Sequence, residues 1–218
     1  MKVGDKLNII TKIEEQKRNK DRVNIYIDDE YAFSLSREVL IKEGIKLKEK
    51  VDIEKIKKAA KEDNYMKCKS AALRIIERTH KTEKEIRERL LKREYDIETI
   101  NRTISFLKEY NLLNDENYAK MYIKDKSKSQ GKKKIKYDLL RKGLDDNLIE
   151  KEIAKIDSDE EEDIAYNLAN KKYNILRKRE NDNYKLSQKL YRFILSKGYS
   201  YDIASKVIKK LLKQDDFY

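Results

Sequence analysis

The feature that most limits what this chain can fold into is a helical segment that returns three times. EIRERLLKREYDIETINRTISFL (85–107), KKIKYDLLRKGLDDNLIEKEIAKI (133–156) and KLYRFILSKGYSYDIASKVIKKL (189–211) share one frame. Placed on Glu94, Gly143 and Gly198, the frame aligns Ile86 with Ile135 and Leu190, and Leu91 with Leu140 and Leu195. It also aligns Ile104 with Ile153 and Ile208, and Leu107 with Ile156 and Leu211. Unrelated amphipathic helices would not also align a turn and its basic flank, Arg93, Lys142 and Lys197.

Each copy follows a helix that is small and aromatic on one face. These helices carry Ala71-Ala72-Leu73-Ile75-Ile76, Tyr118-Ala119-Tyr122-Ile123 and Ala165-Tyr166-Leu168-Ala169. Alanines there let helices approach closely, and tyrosines bury a ring while keeping the hydroxyl wet. Thr82 to Glu85 and Ser158 to Glu161 read as capping boxes. Gly143 and Gly198 end the middle helices of their copies, whereas the first copy has Glu94 and must end without a glycine. The third copy has an insert over 171–184 that extends both flanking helices. With no proline and only five glycines, little interrupts long helices.

The first sixty residues have a different period. Apolar residues alternate over 7–13 and 22–35, so that Val23, Ile25 and Ile27 share a strand face and the chain turns at Asp28-Asp29-Glu30. About three antiparallel strands follow, with residues 16–21 as a polar hairpin tip. Ser36 caps a short helix that Gly44 stops, and Asp52 caps a longer one running to about Tyr65. The expected fold is mainly α: three tandem three-helix repeats in an elongated array after a small N-terminal antiparallel β-sheet domain. The divisions are a sheet domain over 1–51, a linker helix over 52–66, and repeats over 67–113, 114–157 and 158–218. A chain with 43% charged and only 39% hydrophobic residues suits thin cores and a large surface.

Charge is concentrated in the middle copy. Residues 120–142 hold ten Lys or Arg against Asp125 and Asp138, which is +8 of the total +12. By contrast, 1–66 has sixteen basic against fourteen acidic residues and is not expected to be the main nucleic-acid surface. On the helix beginning at Lys132, Ile135, Leu139 and, less centrally, Leu140 face the core, while Lys134, Tyr137 and Arg141 project away. Asp138 is positioned to pair with Lys134. Uncompensated long cations beside the Gly131 loop, whose amides add donors, suit phosphates or acidic protein groups. The candidate contact residues are Lys124, Lys126, Lys128, Lys132, Lys133, Lys134, Lys136, Tyr137, Arg141 and Lys142. Arg87, Arg93, Arg177, Lys178 and Arg179 form a secondary set.

Catalysis has little to work with. His80 is the only histidine and Cys68 the only cysteine, so neither a His-based metal site nor an internal disulfide is expected. Cys68 reads as a small half-buried side chain and His80 as a loop residue. Acid–lysine neighbours such as Asp125-Lys126 follow from composition, and no glycine-rich phosphate loop occurs. No enzyme activity, cofactor or metal is expected. The chain start has no uninterrupted apolar core and no stretch approaches a membrane span of about 18 apolar residues, so a cytoplasmic protein without membrane association is expected.

Leu112-Leu113-Asn114-Asp115-Glu116-Asn117-Tyr118-Ala119, followed by Gly131, Leu139 and Lys142-Gly143, resembles the signature of the RecX family of recombinase regulators. The upstream 82–90 segment, TEKEIRERL, is similar to that family's first repeat, and the resemblance runs over 67–212. Lys126 and Lys128 depart from it, standing where arginine is common. The resemblance implies a bent all-helical array, acting as a monomer, that binds RecA in the groove of its filament on single-stranded DNA. It further implies limits on RecA's ATPase, strand exchange and coprotease functions, and hence on recombinational repair and the SOS response. Single-stranded DNA would be met through the filament and only weakly alone. Three-helix units also resemble helix-turn-helix modules, so a direct DNA-binding regulator is the competing reading, and a structural scaffold for another protein a third.

Overall fold

The computed structural model describes residues 8–17 and 20–215, so Arg18 and Asn19 of the expected hairpin tip lie outside the described residues. Three strands, β1 (Ile10–Glu15), β2 (Arg22–Ile27) and β3 (Glu30–Ser36), form an antiparallel sheet in the order β1-β2-β3. The β2–β3 turn puts Asp28 and Asp29 at φ 50° and 65°. That is the left-handed pair a two-residue hairpin needs, and aspartate tolerates it better than most residues. The Asp28 carboxylate also accepts from the amides of Asn8 and Ile9, which ties down the start of β1.

Ser36 caps α1 (Arg37–Lys42) through a bond from the Val39 amide, and Gly44 at φ 64° stops it. Asp52 caps the next helix by accepting from Lys55 N. That helix does not end near Tyr65: α2 runs unbroken from Ile53 to Arg78. The expected linker helix and the first helix of the first repeat are therefore one element. With no proline or glycine between 52 and 79, nothing in the backbone chemistry interrupts it. Its first half puts Ile56 and Ala60 into the core under the sheet, with Ile10, Ile25 and Leu35. Its second half buries Cys68, Ala71, Ala72 and Ile75 and packs on α4 (Ile97–Glu109).

The remaining elements are α3 (Glu83–Leu91), α5 (Asp115–Lys126), α6 (Lys132–Arg141), α7 (Asp146–Ile153), α8 (Ser158–Leu176), α9 (Asn183–Ser196) and α10 (Tyr201–Asp215). The chain divides into two compact units. Unit 1 comprises residues 1–79 and 86–112; unit 2 comprises 80–85 and 113–218. In unit 2 the middle repeat is built on Ala119, Ile123, Ile135, Leu139, Ile149 and Ile153. The last repeat is built on Ala165, Ala169, Ile194, Ala204 and Val207, extended by Tyr173, Leu186 and Leu190 where the insert lengthens α8 and α9.

The shared frame is present in the backbone. Glu94, Gly143 and Gly198 all adopt left-handed φ, 64°, 87° and 88°. The first copy thus makes the same C-terminal turn with a residue that has a Cβ, at roughly 1–2 kcal/mol of local strain. One expected apolar layer is not in the core: Leu91, Leu140 and Leu195 are 49%, 40% and 41% exposed. The residue just before each of them, Leu90, Leu139 and Ile194, is completely buried. Adjacent helix positions lie about 100° apart, so only one of the two can point at the centre.

Two junctions in unit 2 use the same positions of that frame. In the first, the Thr82 hydroxyl donates to the Lys142 carbonyl at 2.8 Å and the Glu83 amide donates to Asp115. In the second, the Gly131 amide donates to the Lys197 carbonyl at 2.9 Å and the Lys132 amide to Glu161. Thr82 and Gly131 are equivalent, as are Glu83 and Lys132, and Lys142 and Lys197. Each junction seats the start of one middle helix on the left-handed turn that ends the next, and an acid from the next repeat's first helix takes an orphan amide.

Candidate functional site

The helix ends that carry the basic stretch are fixed by local capping. Asn114 accepts from the Asn117 amide at the start of α5, and Asp145 accepts from Leu148 N at the start of α7. The Thr82–Glu85 box forms as expected, with reciprocal bonds of 3.2 and 3.1 Å. The Ser158–Glu161 box does not. Asp157 is the cap of α8, accepting from the amides of Asp159 and Glu160, and the buried Glu161 is turned toward α6. A carboxylate one residue upstream outcompetes the serine, and leaves Glu161 free to hold Lys132.

The ten basic positions of 120–142 do not form one uncompensated face. Lys132 pairs with Glu161 at 3.3 Å, and Lys136 pairs with Asp146 at 3.0 Å and also with Glu150. Lys142 pairs with Glu85 at 2.8 Å, Lys126 with Asp125 at 2.9 Å, and Lys120 with Glu116 at 2.6 Å. Lys134 is half-buried. Its backbone lies against Gly198, and a Cβ built on that glycine would come within 2.5 Å of the Lys134 nitrogen. Asp138 pairs not with Lys134 but with Arg141, at 3.7 Å, and accepts from the Tyr122 hydroxyl at 3.4 Å. The amides at the Gly131 loop, expected as phosphate donors, are spent inside the fold: those of Gly131 and Lys133 go to Lys197 and Gly198, and that of Lys132 to Glu161.

The half-buried pair of the first junction, Glu85 and Lys142, illustrates the electrostatics. Burial pushes the Glu85 carboxyl up, but the Lys142 ammonium and the Thr82 amide outweigh it and hold the group below its ordinary range. Burial likewise works against the Lys142 ammonium, which Glu85 and the Tyr118 hydroxyl raise above the usual lysine value. Lys142 also lies 5.4 Å from the Tyr118 ring and 5.9 Å from that of Tyr122, the two rings being stacked 6.0 Å apart. Such a cation is part of the architecture.

Lys124, Lys128 and Lys133 make no ion pair among the described residues and are exposed; Tyr137 is 65% exposed and Arg141 projects to solvent as expected. Lys124 and Lys128 together rim a cavity of about 420 Å³ floored by Ile123, Ile156 and Ile164. Of the secondary set, Arg87 donates to Asn101 at 2.6 Å, and Arg177 donates to the Tyr173 hydroxyl while lying against that ring. Lys178 and Arg179 are exposed at the α8–α9 turn, and Arg93 lies on a cleft of unit 1. Cys68 is completely buried rather than half-buried; burial pushes its thiol up, against a bond with Thr103. His80 is exposed outside any helix. Among the described residues no group of three His, Cys, Asp or Glu is placed to hold a metal ion.

Four family descriptions match this chain in order. They are the Regulatory protein RecX N-terminal domain over residues 8–52, and the RecX first, second and third three-helix domains over 68–107, 114–152 and 159–208. The chain is 52% identical to Regulatory protein RecX of Clostridium perfringens (strain 13 / Type A) over 206 residues, covering 94% of this chain and 97% of that one. The chain belongs to the RecX family. Other RecX relatives include those of Clostridium tetani, 44% identical over 96% of this chain and 97% of its own length, and Clostridioides difficile, 36% identical over 97% and 99%. A crystal structure of regulatory protein RecX superposes with a TM-score of 0.65 at 26% identity, covering 91% of this chain and 98% of that one. RecX from Lactobacillus salivarius superposes at 0.62 with 29% identity, over 68% and 97%. These relatives are named as regulatory proteins. No helix among the described residues is long and apolar enough to cross a membrane.

Proposed function

We propose that this chain is a cytoplasmic regulator of the RecA recombinase. It docks as a monomer on RecA and on RecA–single-stranded DNA filaments, in the filament groove. It thereby limits RecA's ATPase, strand exchange and coprotease activities, and with them recombinational repair and the SOS response. The observation that carries this reading is the match to all four RecX domains in order, at 36–53% identity to RecX relatives over most of the chain. In this reading residues 1–51 are the sheet domain, 52–66 the segment joining it to the repeats, and 67–113, 114–157 and 158–218 the repeats.

The ion pairs narrow the contact set. Lys126, Lys132, Lys136 and Lys142 already have acidic partners, so engaging an anion there requires breaking a pair. Lys124, Lys128, Lys133, Tyr137 and Arg141 are the first contacts, with Lys178 and Arg179 as secondary ones. Reversing Lys124, Lys128 and Lys133 to Glu is expected to raise the concentration that half-inhibits RecA's DNA-stimulated ATPase by about tenfold or more, at unchanged thermal stability. Unchanged inhibition by this triple variant overturns the assignment of the contact surface. Failure of the unmodified chain to affect RecA at all overturns the function.

A further inference from the structure

Residues 1–66 have almost balanced charge, yet the fold gathers cations from three separate segments of unit 1 around one cleft of about 1140 Å³. The cleft lies along α1 and α2 and is closed by the segment after α3; Lys42, Lys58, Arg74 and Arg93 are on its lining. Each of these four is exposed and makes no ion pair among the described residues. The acids nearby are mostly engaged. Glu43 pairs with Lys55 at 3.3 Å, Asp63 with Lys67 at 3.5 Å and with the Ser36 amide, and Glu62 is taken by both guanidinium nitrogens of Arg102. Among the described residues of the lining, Glu38 is the one acid without an ion-pair partner set against the four free cations.

The geometry points to the phosphodiester backbone of a single-stranded nucleic acid as the occupant of this cleft, engaged without RecA. Lys58 and Arg74 are sixteen residues apart on one helix, about 24 Å along its axis and about 160° around it, so the positive charge is spread along the cleft and over both its flanks rather than gathered at a point. Two of the four cations are arginines, whose planar forks suit phosphate oxygens and stack on bases. The floor offers flat, soft surface for bases: the half-buried ring of Tyr95, and Met66, which is 51% exposed. Stacking on that floor is what a strand of bases adds to the charge, whereas an acidic peptide without rings gains the charge alone.

The test is fluorescence anisotropy of the full chain with labelled oligothymidylate over a salt series, without RecA, so that its failure is separate from failure of the RecA reading. Lys58→Glu, Arg74→Glu and Arg93→Glu should each reduce the salt slope by about 0.7 to 1, and the triple variant should lose about tenfold or more in affinity. Lys171→Glu with Lys209→Glu, exposed lysines of unit 2 outside both contact sets, should leave both largely unchanged. The glutamine variants at the same three positions repeat the test if the reversals perturb folding in circular dichroism. Photo-cross-linking to a bromouracil-substituted strand should map to Tyr95 or Met66. The proposal is overturned if the triple variant keeps its affinity and slope, if the cross-links map only to unit 2, or if polyglutamate displaces the strand as readily as unlabelled oligothymidylate.

Discussion

The two junctions of unit 2 solve one problem with different chemistry. At the first, Thr82, Lys84, Glu85 and Lys142 meet through side chains: a hydroxyl on a carbonyl, a lysine ammonium on the Arg141 carbonyl, and a half-buried ion pair. At the second, glycine meets glycine, and a Cβ on Gly131 would stand 2.5 Å from the Gly198 carbonyl and the Tyr199 amide. Side-chain junctions can yield when one atom is changed, because long chains move. Backbone junctions cannot, because the atoms in the way are covalently fixed. The difference says that the middle and last repeats are set against each other more rigidly than residues 80–85 are set against the Lys142–Gly143 turn.

The sharpest way to break that contrast is Gly198→Ala. The new Cβ meets the Lys134 nitrogen at 2.5 Å and Cα at 2.9 Å, and φ is 88° besides. A loss of about 2–4 kcal/mol is expected in urea unfolding, with Gly131→Ala similar though its φ is ordinary. Gly143→Ala shares the left-handed backbone, but the atoms nearest its Cβ belong to the Lys84 side chain: Cγ at 3.0 Å can rotate aside, whereas Cβ at 2.6 Å is held by the helix and needs a small backbone shift. About 1–2 kcal/mol is expected there, and equal losses at 143 and 198 would erase the distinction. Thr82→Val removes both the helix cap and the bond to the Lys142 carbonyl while keeping the shape, and should lower stability by about 1 kcal/mol.

The smallest effect is a matter of pH. Glu85 is held below its ordinary range in the fold, so its contribution is present above the unfolded carboxylate value, near about 4.3, and is lost as pH falls through the lower folded value. Glu85→Gln should remove this acid limb and flatten stability below about pH 4, while Gly131 and Gly198 variants keep it. Thermal melts between neutral and acid pH measure it directly.

Much of the fold was legible because its signals are local. Ser36, Asp52 and Thr82 cap helices where their side chains reach amides three residues on, and Gly44, Gly143 and Gly198 turn left-handed where the pattern asks for it. The repeat frame even located Glu94, the one left-handed position among the three without a glycine. The electrostatics were not legible, because the deciding partners are distant in sequence: Glu161 is 29 residues from Lys132, and Glu85 is 57 from Lys142. A cluster of lysines read along the chain therefore overstated the free positive charge of the middle repeat. The near-neutral count over 1–66 concealed the cations lining the unit 1 cleft for the same reason, since Arg74 and Arg93 reach it from outside that range.

The unbroken α2 sets a phase relation within unit 1. The sheet core reads its Ile56 and Ala60 face and α4 reads its Ala71, Ala72 and Ile75 face, with no joint between the two. Adding or deleting one residue between Asp63 and Cys68 would twist one module against the other by about 100° while changing their separation by only about 1.5 Å. Length changes in that segment should therefore be inherited in near-whole turns, three or four residues or seven at a time. A single-residue change would strip one of the two cores of its helix face, so that rotational register, more than reach, is what this stretch conserves.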